Sequence, residues 1–271
     1  MSAQNQPPQR LFETTTLSVT RHDPVVVVAL DRPDARNAVN GVMLAELAEV
    51  LAAIAADPEV RALLLTGNGP VFCAGADIKD AYYDDSPEAQ SARVDLGYSV
   101  VRALRDLPFP TVCAINGACV AIGLSLALLC DVRVAAEDAK LIFGFAQIGM
   151  VPDFGAASLL GSLLGPLKAL ELVVLDEPVD AGRSRELGFV SRVTPVEQLR
   201  PVAFELATRL ADRSGAATRL TRTVLRDFAS LPFEKAFKIE AEVVKDQIRS
   251  PDFLEGLTAA RERRTPRFSQ R

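Results

Sequence analysis

The sequence predicts an α/β fold whose last third is all helix, and three observations carry that expectation. Short apolar, β-branched runs bounded by turn residues recur through the first two thirds of the chain. Helical apolar periodicity fills the gaps between them, and beyond about Val193 only helical patterns remain.

Taken in order, Val25–Leu30 is a continuous run of β-branched and small apolar residues. Arg61–Thr66 and Thr111–Ile115 are similar, so each reads as a buried strand. Behind Asn40, a good capping side chain, Met43, Leu44, Leu47, Val50, Leu51 and Ile54 recur at three- and four-residue spacing and give a helix one apolar face. Asp180–Gly188 reads as a short capped helix closed by glycine, with a strand over Phe189–Val193 after it. Helices are then expected over Leu199–Leu210, Ala216–Phe228, Glu234–Ile248 and Pro251–Arg264, the last with Ser250 as cap and Pro251 in its first position. No low-complexity linker and no clear internal sequence repeat interrupts this pattern.

With 271 residues, 49% hydrophobic and 24% charged, the chain is long enough for one large domain or a domain with a helical appendage. A net charge of −5 gives no electrostatic reason to expect nucleic acid or an anionic membrane as partner. The polar start Met1–Arg10 lacks the apolar core of a signal peptide and no apolar run reaches membrane length, so a cytoplasmic protein is expected. Cys73, Cys113, Cys119 and Cys130 lie in apolar or small-residue surroundings without a Cys-x-x-Cys pair, which suits reduced thiols better than disulfides or zinc. His22, the one histidine, reads as a solvated turn, so neither a histidine metal site nor a histidine base is expected. There is no Walker loop and no Gly-x-Gly-x-x-Gly fingerprint to support ATP or NAD.

Chemistry concentrates in two segments, Val71–Lys79 and Asn116–Gly123. In each, a strand-like run breaks into small residues, where backbone N–H groups can face a ligand without side chains intervening. Two such turns could grip one carbonyl oxygen, or they could simply be tight packing turns. Ser125, in Gly123-Leu-Ser-Leu-Ala127, misses the final glycine of a nucleophile elbow and reads as a pocket-lining helical residue. Arg261, Arg263, Arg264 and Arg267 form a basic cluster that either meets phosphates, across a subunit boundary, or compensates a helix dipole.

Together with Leu30-Asp-Arg-Pro-Asp-Ala-Arg-Asn-Ala-Val-Asn40, Ala114–Asp131, Gly149-Met-Val-Pro-Asp153 and Pro178–Val193, these segments make the chain resemble the enoyl-CoA hydratase/isomerase, or crotonase, family over most of its length. The resemblance implies a crotonase-like spiral of β-β-α repeats over residues 1–195 that carries an acyl-CoA site. It also implies a helical trimerisation region over 196–271, with homotrimers or dimers of trimers. An acyl-CoA thioester of lipid metabolism is then the substrate. CoA is part of that substrate, and no separate cofactor or metal is expected.

By motif position, the backbone N–H groups of Ala76 and Ile122 hold the thioester oxygen, which carries negative charge once a neighbouring proton is removed. Ile122 stands where the family often has glycine, and its bulk is expected to narrow the acyl pocket. The two glutamates that activate water in the family's hydratases correspond to Ser125 and Phe145, neither of which replaces a carboxylate. Asp153 matches the acidic position used by several isomerases and a dehalogenase; the alternative is that it caps a helix beginning near Ala156. Arg36 matches a basic position near the CoA phosphates or pantetheine. Ala38, Ala74, Asp77, Ile78 and Lys79 match backbone that accompanies the cofactor's adenine and pantetheine arm. The resemblance therefore implies conversion of 3-enoyl-CoA to 2-enoyl-CoA with Asp153 as acid/base. An enoyl-CoA hydratase with an unusual water site and a non-catalytic acyl-CoA-binding protein are the alternatives.

Overall fold

The computed structural model describes residues 9–81, 86–228 and 231–268, so most of the polar start Met1–Arg10 lies outside the described residues. Its larger sheet has β1 (Gln9–Arg10), β2 (Leu17–His22), β3 (Val25–Leu30), β4 (Ala62–Gly67), β5 (Thr111–Ile115), β7 (Val132–Ala136) and β10 (Arg192–Thr194) side by side in that order. The pairs at the β1 edge are antiparallel, and every pair from β3 to β10 is parallel. Every residue of β4 and β5 is buried, as a parallel sheet covered on both faces requires.

A smaller sheet of β6 (Cys119–Val120), β8 (Lys140–Ile142) and β9 (Val179–Asp180) stands beside the first. Two isolated parallel bridges, Val39 with Ala76 and Cys73 with Cys119, continue the same column. The chain thus repeats one motion: a long strand, a short strand or bridge, then helix. β3 leads through Val39 to α1 (Gly41–Ala56), and β4 through Cys73 to α2 (Ile78–Ala81) and α3 (Pro87–Arg105). β5 leads through β6 to α4 (Ile122–Leu129), and β7 through β8 to α5 (Ala156–Leu164) and α6 (Pro166–Leu175). This is the spiral of β-β-α units that the resemblance implies. It ends with β9, α7 (Ala181–Glu186) and β10, before α8 (Val196–Ala211), α9 (Gly215–Asp227), α10 (Phe233–Gln247) and α11 (Pro251–Glu262).

Local chemistry sets the helix ends. The Asn40 side chain accepts from Met43 N–H, and the apolar face it starts, Met43 to Ile54, is wholly buried. Asp180 caps α7 and Ser250 caps α11 in the same way. The strand expected over Phe189–Val193 begins only at Arg192, because the N–H groups of Phe189 and Val190 both turn back to the Ser184 carbonyl. His22 is not in a solvated turn. It ends β2, half-buried, with its ring edge-on to Phe204 and Nε2 3.3 Å from Thr20 Oγ1.

α8 packs on β4, β5 and β7 and buries Leu199, Ala203, Leu206, Ala207 and Ala211. The helical region expected from residue 196 therefore divides, with α8 completing the core and α9–α11 standing farther out. No described helix is long and apolar enough to cross a membrane.

Candidate active site

Two turns meet where the small-sheet column crosses from one repeat to the next. Cys73 pairs in parallel with Cys119, and Val120 N–H donates to the Cys73 carbonyl at 2.9 Å. Three residues beyond this pair on the two segments stand Ala76 and Ile122. Gly123 lies so close to the first segment that a Cβ there would fall 2.6 Å from Cys73 Cβ, so glycine is what lets the turns approach.

The bridge at Ala76 leaves its own amide unused. Val39 N–H donates to the Gly75 carbonyl at 2.8 Å and Asp77 N–H donates to the Val39 carbonyl at 2.9 Å, so Ala76 N–H faces away from Val39. Ile122 opens α4, where the first N–H groups have no intrahelical acceptor. Its orientation is set by Ala121, which is held at φ 46° and ψ −108° while its N–H donates to the Ile142 carbonyl. Backbone strain of this kind at a non-glycine residue clusters at functional sites. The Ile122 side chain is buried in the core beneath this turn.

Ser125, about one turn of α4 beyond Ile122, ties the Asp153 segment to that helix. Ser125 is fully buried and its hydroxyl lies 3.2 Å from the Ala121 carbonyl and 3.1 Å from the Asp153 carbonyl, both acceptors. Ser125 thus braces α4 against the Asp153 segment. Phe145 is buried as well, and its carbonyl accepts from Ile148 and Met150 N–H, so it too fills the interior and exposes almost nothing to a substrate.

The Asp153 side chain makes no cap to α5, whose preceding residue is Gly155; only the Asp153 carbonyl reaches Ala156 N–H. Its Oδ1 is buried with no hydrogen-bond partner among the described residues. Burial pushes the carboxyl up from 3.8 to about 6, against a smaller opposing pull from its own backbone hydrogen bond. A carboxylate tuned toward neutrality is a competent proton carrier.

The other acid beside the turns is committed elsewhere. Asp77 Oδ2 receives Arg32 Nη1 at 2.9 Å, and Oδ1 receives Lys79 N–H. Arg32 also donates to the Ala38 carbonyl. Asn37, fully buried, donates to the Asn68 and Val71 carbonyls and accepts from Arg32 N–H. Arg32 and Asn37 thus hold the Ala38–Ala76 neighbourhood in shape. Sequence reasoning gave them no role, although both lie in the motif it singled out.

Arg36 is exposed, and its carbonyl accepts from Ala74 N–H, which seats it next to the first turn. Ala38 and Ala74 are half-buried around it, while Ile78 and Lys79 stand exposed at the head of α2. Burial pushes the Cys73 thiol up to about 12 and the Cys113 and Cys119 thiols well above their usual range, so these cysteines are not nucleophiles.

The C-terminal arginines are only partly available. Arg264 grips Glu255 with two hydrogen bonds of 2.6 and 2.9 Å, and these, helped by Arg267 N–H, hold the Glu255 carboxyl down at about 2. A groove of about 1040 Å³ beside α9, lined by Asp131, Arg133, Arg222, Leu225 and Phe268 among others, lies apart from the turns. Its Arg133 and Arg222 are bound to the Asp131 carboxylate and to backbone carbonyls, which leaves little for an incoming anion.

Known proteins resemble this chain in sequence and fold. The family model for enoyl-CoA hydratase/isomerase matches residues 20–271. The chain is 34% identical to the 1,2-epoxyphenylacetyl-CoA isomerase of Escherichia coli (strain K12), over 90% of this chain and 95% of the relative. It is 32% identical to the crotonyl-CoA hydratase of Syntrophomonas wolfei, over 92% and 95% respectively. The crystal structure of an enoyl-CoA hydratase from Bacillus anthracis superposes with a TM-score of 0.89 at 30% identity, covering 95% of this chain and all of that one.

Proposed function

The chain belongs to the enoyl-CoA hydratase/isomerase family, and from that premise we propose that it moves the double bond of a 3-enoyl-CoA thioester to C2. One observation carries the reading: among the described residues Asp153 keeps a buried carboxylate oxygen with no partner, whereas Asp77, beside the first turn, is held by Arg32.

In the proposed reaction the thioester oxygen lies between the amides of Ala76 and Ile122. The Asp153 carboxylate takes the proton from C2, the electrons of that C–H bond enter the conjugated enolate, and the oxygen's charge is met by the two N–H groups. The same proton then returns at C4, which restores the carboxylate and leaves the double bond between C2 and C3. With its pKa near 6, Asp153 is about nine-tenths ionised at pH 7 and still basic enough to remove the proton. Arg36 positions the CoA phosphates, and Ala38, Ala74, Asp77, Ile78 and Lys79 border the pantetheine and adenine; CoA is part of the substrate. The Escherichia coli relative is by its printed name an isomerase of a CoA thioester, though of an epoxide, and supports isomerisation as the class of reaction.

A hydratase reading is favoured by the printed names of other relatives, among them the Syntrophomonas wolfei enzyme. Purified protein incubated separately with 3-enoyl-CoA and 2-enoyl-CoA, with products read by mass and ultraviolet absorbance, separates the two. A 2-enoyl product without added water supports isomerisation, and rapid formation of 3-hydroxyacyl-CoA overturns it.

The proposed assembly is a homotrimer or dimer of trimers. In its support, α6 exposes Leu167, Leu170 and Val174, and α10 buries none of its residues while showing stacked Phe233 and Phe237. The four buried, unpaired cysteines suit a reducing, cytoplasmic setting.

A further inference from the structure

We infer that Phe154 is a positioning residue, whose ring, locked against α3, fixes the direction in which Asp153 presents its carboxyl group. The inference rests on the reading of Asp153 as the acid/base group. Phe154 has φ +49° and the next residue, Gly155, φ +85°, so two successive left-handed residues turn the chain from Pro152 into α5. Glycine adopts that backbone freely, whereas a bulky aromatic residue there is an outlier that persists only where its surroundings hold it.

The hold is visible on α3. The Phe154 ring is buried and stacks on Tyr98 with centroids 5.6 Å apart and planes 13° from parallel. Gly97 lies beneath it, so close that a Cβ at that position would fall 2.3 Å from both Cε1 and Cζ of the ring. Asp153 is therefore fixed from two sides. Its carbonyl is bound by Ser125 of α4 and by Ala156 N–H of α5, and the residue after it is clamped to α3. With the peptide after Asp153 held in this way, few directions are left to the carboxyl group, and its Oδ1 is sealed from water. No charged side chain among the described residues contributes to the setting of Asp153; Tyr98 is the titratable residue of this aromatic stack on α3.

Phe154→Gly keeps the left-handed turn accessible and removes the clamp. Gly97→Ala keeps Phe154 and pushes its ring aside, while replacing a helix-interior glycine by a better helix former. Both are made in the full-length chain and checked for retained folding by circular dichroism. The decisive readout is the titration of the Asp153 carboxyl by carbon-13 NMR of aspartate-labelled protein, its resonance identified by absence in Asp153→Asn. We expect a midpoint of about 6 in the wild type to move toward the ordinary carboxylate value of about 4 in both variants. On 3-enoyl-CoA we expect kcat to fall at least about tenfold, with KM within about threefold of wild type. A midpoint that stays in place in both folded variants overturns the inference. If the wild type does not isomerise 3-enoyl-CoA while the midpoint moves as expected, the proposed reaction fails and the positioning role of Phe154 stands.

Discussion

Replacing Asp153 by asparagine keeps its shape and removes its charge, and the expected result is a protein that is more stable and far less active. Burial lifts this carboxyl from 3.8 to about 6, a rise of about two pH units, and each corresponds to about 1.4 kcal/mol between the two protonation states. The ceiling on the cost of ionising Asp153 in the folded protein is therefore about 3 kcal/mol, and its partial contact with water reduces that to about 1–2 kcal/mol. The sign follows from the direction of the shift. Because the folded-state value is the higher one, the native protein holds the proton more tightly. The associated stability is complete below about pH 4 and is lost as pH rises through about 6. Asp153→Asn should therefore match the wild type in urea near pH 4 and exceed it by about 1–2 kcal/mol at pH 8, or roughly 2–8 °C in Tm for a chain of this size. Isomerisation should fall at least about 10²-fold, as expected for loss of a positioned acid/base. A variant that isomerises normally, or that is less stable than wild type at pH 8, refutes the reasoning.

Three further outcomes are expected. Crotonyl-CoA hydration should be slow, because Ser125 and Phe145 occupy the positions of the water-activating carboxylates; a turnover in the usual range of about 10–10³ per second contradicts this. Gly75→Pro, which forces φ to about −65° where the native value is +98°, should abolish turnover by turning the Ala76 amide, whereas Arg36→Ala should mainly raise KM and weaken its salt dependence; steady-state kinetics at two ionic strengths compares them. Gly123→Ala should cost about 1–3 kcal/mol in urea denaturation and lower kcat, because its methyl meets Cys73 Cβ at 2.6 Å and spreads the two turns.

What the sequence revealed, and what it concealed, follows from how far apart the cooperating residues lie. The β5 boundaries, the Asn40 and Ser250 caps and the glycine-rich turns at Ala76 and Ile122 each express chemistry confined to a few neighbours, and local pattern finds such features. The spiral itself left no sequence repeat, because its units share a bridging geometry that Val39, Cys73, Val120 and Ile142 satisfy with different side chains. Asn37 and Arg32 were invisible as braces because their partners, Asn68, Val71 and Asp77, are brought to them by the fold. Ser125 is the most instructive case. Alone it is a glutamate position without its carboxylate, and sequence reasoning could count only what was missing. Folded, its hydroxyl reaches the Asp153 carbonyl 28 residues away, while Phe145 fills interior space. On the proposed reading, then, the replacements at the two water-site positions do more than remove hydration chemistry. One of them supplies the brace that holds a lone acid against the helix whose first amide faces the thioester, and a single buried carboxylate needs that fixed geometry to carry a proton from C2 to C4 without releasing it to water.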